Sequence, residues 1–201
     1  MAEPVRGSLV QEMRRHYAHS RDIATVLESL RRRFAEAEIP FAVVGAIALQ
    51  HYGYMRHTED IDIVITPDGL NKIHETQVGR DIVPREPGLR KRLRETEHVV
   101  NIDVITSGEH AGSQESPVIY PPPDSDAFVE VDGLRFPTLA SLITFKIASG
   151  IWGHRTQDFA DVQRLIRVNR LEETFAGQLP APLRDRYLDL LRKSRLEIEL
   201  E

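Results

Sequence analysis

Two carboxylates set into an otherwise apolar, β-branched run constrain this chain more than any other feature. Asp60 and Asp62 flank Ile61 in Asp60-Ile61-Asp62-Ile63-Val64-Ile65. Such a run favours a strand, and a strand sends alternate side chains to opposite faces. Asp60 and Asp62 therefore share one face, with Cα atoms roughly 6.5–7 Å apart, while Ile61, Ile63 and Ile65 turn toward a core. A second run, Val99-Val100-Asn101-Ile102-Asp103-Val104-Ile105, carries one aspartate among apolar neighbours. A lone acid in such a strand needs a partner. Taken singly, each pattern also fits the wet face of a sheet or a satisfied core acid. If the two strands pair, Asp103 completes a three-carboxylate site. Carboxylates held side by side repel, and a divalent cation between them removes that cost.

The surrounding pattern predicts alternating helices and strands. Ile23, Val26, Leu27, Leu30 and Phe34 fall on one face of a helix over about Ser20 to Ala37, with Ser20 as its cap. Phe41 to Val44 reads as a buried strand ending in Gly45, and Ala46 to His51 as a short helix stopped by Gly53. Pro67-Asp68-Gly69 reads as a turn before a helix over Leu70–Gln77. The basic run Arg90–Arg94 reads as a solvated helix face, with guidance of an RNA acceptor as its functional counterpart. Residues 107–127 read as a long surface loop, and Val129 to Phe136, with Asp132-Gly133 at its centre, as a hairpin. Helices are expected over Leu139–Ser149, Thr156–Val168 and Ala181–Glu197. The eight histidines show no metal-ligand spacing and read as surface or packing residues.

Composition narrows the class. At 201 residues the chain suits one domain, or one domain with a helical appendage. Zero cysteines exclude a disulfide scaffold, a thiolate metal site and a cysteine nucleophile. No apolar run reaches the roughly 18 residues a membrane span needs, and Met1 to Gln11 lacks the apolar stretch of a signal peptide. A cytoplasmic protein without membrane partners is expected. Net charge is −5, concentrated in residues 41–79 (5 acidic, 2 basic) and 99–153 (7 acidic, 2 basic), so a whole-domain basic footprint is absent.

A glycine between strand and helix lets backbone N–H groups approach an anion, and the helix start favours negative charge. Phosphate at Gly45-Ala46, opposite cations on Asp60 and Asp62, is the arrangement for metal-assisted attack on a nucleotide phosphate. Val44-Gly45-Ala46, then Arg56-His57-Thr58-Glu59-Asp60-Ile61-Asp62, then Ile102-Asp103-Val104, resembles the nucleotidyltransferase superfamily of the DNA polymerase β type. Within it the chain is most similar to the AbiEii-like branch, known for toxins of toxin–antitoxin systems. The resemblance covers roughly residues 40–168. It implies support of the site by Arg56 and Thr58, contact of Lys146 with the triphosphate, and a supporting role for Asp158 or Asp161, more so Asp161. One departure is Ala46, where the family turn has Gly or Ser and a serine would offer a hydroxyl to phosphate.

The resemblance implies an α/β (α+β) fold with a small mixed sheet flanked by helices and a helical C-terminal lobe. The expected division is an N-terminal helical segment 1–39, a core 40–136 and a lobe 137–201. The implied reaction moves a nucleoside monophosphate from an NTP to a hydroxyl of an RNA, protein or small molecule. Asp60, Asp62 and Asp103 would bind Mg²⁺ (or Mn²⁺), and Asp103 would act as general base. A cognate antitoxin is a possible partner. The rival expectation is a catalytically silent module that binds a partner protein or nucleotide. A small-molecule nucleotidyltransferase of the antibiotic-modifying kind is a third.

Overall fold

A computed structural model describes residues 18–198. The expectations placed on residues 1–17, including the leader reading of Met1 to Gln11, lie outside the described residues. Helix α1 (Ala18–Glu36) leads into β1 (Phe41–Val43) and α2 (Gly45–His51). Strand β2 (Asp60–Ile65), helix α3 (Pro67–Thr76), and strands β3 (Ile82–Pro84), β4 (Arg92–Glu95) and β5 (Val100–Thr106) follow. The hairpin β6 (Phe128–Val131) and β7 (Leu134–Pro137) precedes α4 (Leu139–Trp152), α5 (Thr156–Val168), a 3₁₀ segment Glu173–Gln178 and α6 (Ala181–Ile198).

Five strands form one mixed sheet in the order β1-β2-β5-β4-β3. Only the central pair, β2 and β5, is parallel; β1, β4 and β3 join antiparallel. One face of this sheet is the core. Ile61, Ile63, Ile102, Val104 and Leu93 are buried there with Ile23, Leu27 and Leu30 of α1. Burying one such isoleucine contributes about 1.5–3 kcal/mol, so the alternation that hides the isoleucines fixes which face the aspartates take. Phe34 meets Phe41 edge to face at 5.3 Å and pins α1 to β1. The fold class is the expected mixed α/β arrangement.

Several local expectations are corrected. Helix α3 begins at Pro67, not Leu70, because Thr66 Oγ1 accepts the Gly69 N–H at 3.0 Å and proline is tolerated in a first turn. Ser20 lies inside α1 rather than at its cap. The stretch Arg90–Arg94 is not a helix: Arg92–Glu95 is β4, burying Leu93 and Glu95 and exposing Arg92 and Arg94. Residues 107–127 are not simply a surface loop. Gly108 N–H donates to Tyr120 O at 2.8 Å and Ala111 N–H to Val118 O at 2.8 Å, folding the segment on itself with Ala111 and Val118 buried. The hairpin turn at Asp132-Gly133 is as expected, both residues at positive φ (52° and 76°).

Candidate active site

Strand register brings the acids together. In the parallel β2–β5 pair, Asp60 lies beside Asn101 and Asp62 beside Asp103. All four share the face opposite the buried isoleucines. Asn101 Nδ2 donates to Asp60 Oδ1 at 2.9 Å. Thr58 Oγ1 donates to Asp60 O at 3.1 Å and lies 3.3 Å from Asp60 N, fixing the strand entry. Asp103 Oδ1 accepts from Arg85 Nη2 at 2.7 Å. The Asp62 carboxylate receives no hydrogen bond among the described residues. Burial and then the neighbouring Asp103 push its carboxyl up to about 6, against the pull of Lys146 and Arg155.

Gly45 sits against this acid. Its φ is +66°, and a Cβ placed there would lie 1.9 Å from Asp62 Oδ2. Both the backbone conformation and the close approach therefore require glycine. Val44 N–H donates to Asp62 O at 2.9 Å and ties the turn to β2. Ala46 follows in the first turn of α2, buried, where its small side chain leaves room but offers no hydroxyl.

The facing wall comes from α4 and α5. A cleft of ≈ 60 Å³, open to solvent, is lined by Gly45, Asp62, Tyr120, Lys146, Arg155 and Asp158 among others. Lys146 is buried, with Nζ 2.7 Å from both Asp158 Oδ1 and Asp161 Oδ2. Arg56 Nη1 reaches Asp161 Oδ2 at 2.9 Å. These two cations and two carboxylates form one ion cluster in which Asp161 is fully enclosed. Arg155, largely exposed, brings Nε to 3.2 Å from Asp158 Oδ2 without the alignment of a hydrogen bond. Burial pushes the Tyr120 hydroxyl up to about 12, so it remains a proton donor at the cleft wall.

A comparison with protein-family models and one with curated proteins find no match. Solved structures do match. The crystal structure of ANT(2″)-Ia in complex with adenylyl-2″-tobramycin aligns at TM-score 0.54 and 12% identity, over 82% of this chain and 96% of that one. The solution structure of ANT(2″)-Ia aligns at TM-score 0.54 and 14% identity, over 85% and 96%. JHP933 from Helicobacter pylori is a looser likeness, with TM-score 0.45 and 16% identity. The chain has the nucleotidyltransferase fold. At such identity the likeness concerns the backbone, and what the side chains do is argued from this chain alone.

Of the expected site residues, Gly45, Asp62, Lys146 and Asp158 line the cleft; Asp60 and Asp103 share the sheet face of Asp62, and Ala46 is buried beside Gly45. Asp161, fully buried, joins Lys146 and Arg56 behind the cleft wall. Sequence reasoning missed Asn101, Arg85, Tyr120 and Arg155. Asn101 was within reach, since Asn-x-Asp repeats the same-face spacing of Asp60 and Asp62. Arg85 and Tyr120 arrive from segments whose folding carries no local signature. Among the described residues, the group of three potential ligands whose donor atoms lie within 4.8 Å of one another is Glu95, Glu97 and His98. It is a turn already satisfied by backbone: Glu97 and His98 N–H groups donate to the Glu95 carboxylate at 3.0 and 2.8 Å. The three aspartates are aligned by register but not drawn to one point to that degree.

Proposed function

We propose that the protein is a nucleotidyltransferase that moves a nucleoside monophosphate from an NTP to an acceptor hydroxyl. The observation that carries this reading is Asp62 and Asp103 side by side on adjacent parallel strands, against a glycine turn that only glycine can make. The donor set is all oxygen, which suits a hard divalent cation. Asp62, enclosed beside Asp103 and lacking a hydrogen-bond donor, is a carboxylate whose charge calls for one. Asp60, Asp62 and Asp103 would hold Mg²⁺ or Mn²⁺, which when bound supplies positive charge to the polyphosphate and acidifies the acceptor hydroxyl.

The chain's own residues do the rest. Backbone N–H groups of Gly45 and Ala46 hold phosphate oxygens, without help from a hydroxyl at position 46. The acceptor oxygen attacks the α-phosphorus, its proton passes to Asp103, and the bond to the leaving pyrophosphate breaks. Lys146 supports the site through the buried cluster with Asp158 and Asp161, which holds α5 against α4. That arrangement differs from the direct triphosphate contact expected of Lys146, and it leaves Arg155 as the exposed cation lining the cleft. Thr58 and Arg56 keep the β2 entry and α5 in register with one another.

Membership of the AbiEii-like branch, with a cognate antitoxin, rests on the motif resemblance described for the sequence. The small-molecule acceptor of ANT(2″)-Ia makes an antibiotic-like acceptor the rival within the same chemistry. A catalytically silent module is the second reading, favoured by Ala46 and by the Arg85 guanidinium on Asp103. Incubation with each labelled NTP, Mg²⁺, RNA, lysate protein and aminoglycosides separates these. Label on any acceptor, lost in Asp60→Ala plus Asp62→Ala, supports transfer. Absence of label with all four NTPs, together with equal NTP binding by native and substituted protein, overturns it.

A further inference from the structure

The β3–β4 hairpin adds a row of arginines to the aspartates' face. Arg92 pairs with Asp103 and Arg94 with Asn101 across the antiparallel β4–β5 ladder. Residues directly opposite in such a ladder share a face. Arg92 and Arg94 are exposed there, while Leu93 and Glu95 turn into the core. Arg85, just past β3, reaches the same face to bind Asp103. Arg94 is held by the neutral Asn101 at 3.1 Å, and Arg92 makes no ion pair among the described residues. Residues 80–94 hold six basic side chains against two acidic ones, in a chain of net charge −5. Val83, opposite Arg94, adds an exposed apolar side chain beside them.

We infer that this row is the acceptor surface, that it takes a polynucleotide strand, and that Arg85 couples strand binding to release of Asp103. The inference rests on the nucleotidyl-transfer reading above. Arg92 and Arg94 stand about 6.5–7 Å apart along β4, which suits successive phosphates. Guanidinium groups bind phosphate through paired N–H donors, and Val83 offers a surface for a base. A terminal hydroxyl then lies next to Asp103, one strand over. A phosphate beside Arg85 competes for the guanidinium that now holds Asp103 Oδ1 at 2.7 Å. Once released, Asp103 has both oxygens available. Without acceptor, the clamp keeps the third carboxylate occupied, which limits futile attack by water.

The test uses fluorescent RNA and DNA 12-mers with free 3′-hydroxyls, followed by anisotropy without metal, and Mn²⁺ titration by calorimetry. Arg92→Gln plus Arg94→Gln is expected to weaken strand binding at least about tenfold and lower the log–log salt slope by about 1.4. Asp62→Asn should bind the strand as well as the native chain. Native protein should bind Mn²⁺ more tightly when the strand is present. Arg85→Gln should bind it tightly without the strand and gain nothing from it. Equal strand binding by the native and doubly substituted proteins, or displacement by polyglutamate as effective as by oligonucleotide, overturns the surface. Mn²⁺ binding indifferent to both strand and Arg85→Gln overturns the coupling. Failure of native protein to bind Mn²⁺ under any condition counts instead against nucleotidyl transfer.

Discussion

Replacing Asp62 with asparagine should abolish transfer and, at alkaline pH, make the protein more stable. The Asp62 carboxyl titrates at about 6, above its ordinary 3.8, chiefly because burial and Asp103 disfavour its charge. A folded value above the unfolded one means that the folded state holds the proton more tightly. The stability this group contributes is present in full below the unfolded value. It is lost as pH rises through about 6. A shift of about two units corresponds to about 3 kcal/mol by pH 8. Asparagine keeps the shape and cannot ionise. The stability gap between Asp62→Asn and native protein should therefore be small at pH 4 and widen to about 3 kcal/mol at pH 8, which is about 1–3 M in urea midpoint. Urea unfolding at both pH values reads the gap, and titrating groups remote from Asp62 cancel in the difference. Millimolar Mg²⁺ should close it at pH 8 by raising the native protein alone. A gap that stays flat across this range would refute the electrostatic reasoning, and with it the argument that Asp62 awaits a cation.

Other expectations follow from the same geometry. Gly45→Ala places a methyl where Asp62 Oδ2 now lies, at a positive φ; NTP-dependent transfer should be lost, with destabilisation of about 1–3 kcal/mol in urea unfolding. Lys146→Met leaves the enclosed Asp158 and Asp161 with only Arg56 and the exposed Arg155 as cations, and should cost about 3–5 kcal/mol near neutral pH, with much of it recovered when Asp158→Asn and Asp161→Asn are added. Val99, exposed and β-branched at φ 59°, should tolerate replacement by glycine with a gain of roughly 1 kcal/mol, seen as a raised thermal midpoint.

The aspartate face was legible because strand alternation is local. Once Ile61, Ile63 and Ile65 must be buried, Asp60 and Asp62 have one side left to them, and no tertiary fact is needed. The meeting of Asp62 with Asp103 is of another kind. It depends on β2 and β5 pairing in parallel register across α3, β3 and β4, which residue patterns suggest but do not dictate. The basic run Arg90–Arg94 was misread for a related reason. Its charges are compatible with a helix, and only pairing with β5 makes Leu93 and Glu95 the buried alternates. Tyr120 left no trace, since its burial depends on the backbone contacts of residues 107–127 rather than on neighbours of its own.

Where the reading of Lys146 departs from the expectation, the reason is charge balance. A lysine alone in an apolar helix has to reach either water or a partner. Asp158 and Asp161 lie three residues apart on α5, so both can face one point on α4. Lys146 meets both at 2.7 Å, and Arg56 adds a second positive charge at Asp161. The cluster thus neutralises itself. A phosphate drawn to Lys146 would have to displace a carboxylate from an enclosed pair, whereas Arg155, exposed and paired only through Nε with Asp158, offers its guanidinium at a smaller cost. On the proposed reading the α4–α5 wall would act through rigidity, and Asp60, Asp62, Asp103, Arg85 and Arg155 are the groups whose mutual attraction and repulsion a nucleotide, a cation or an acceptor strand would rearrange.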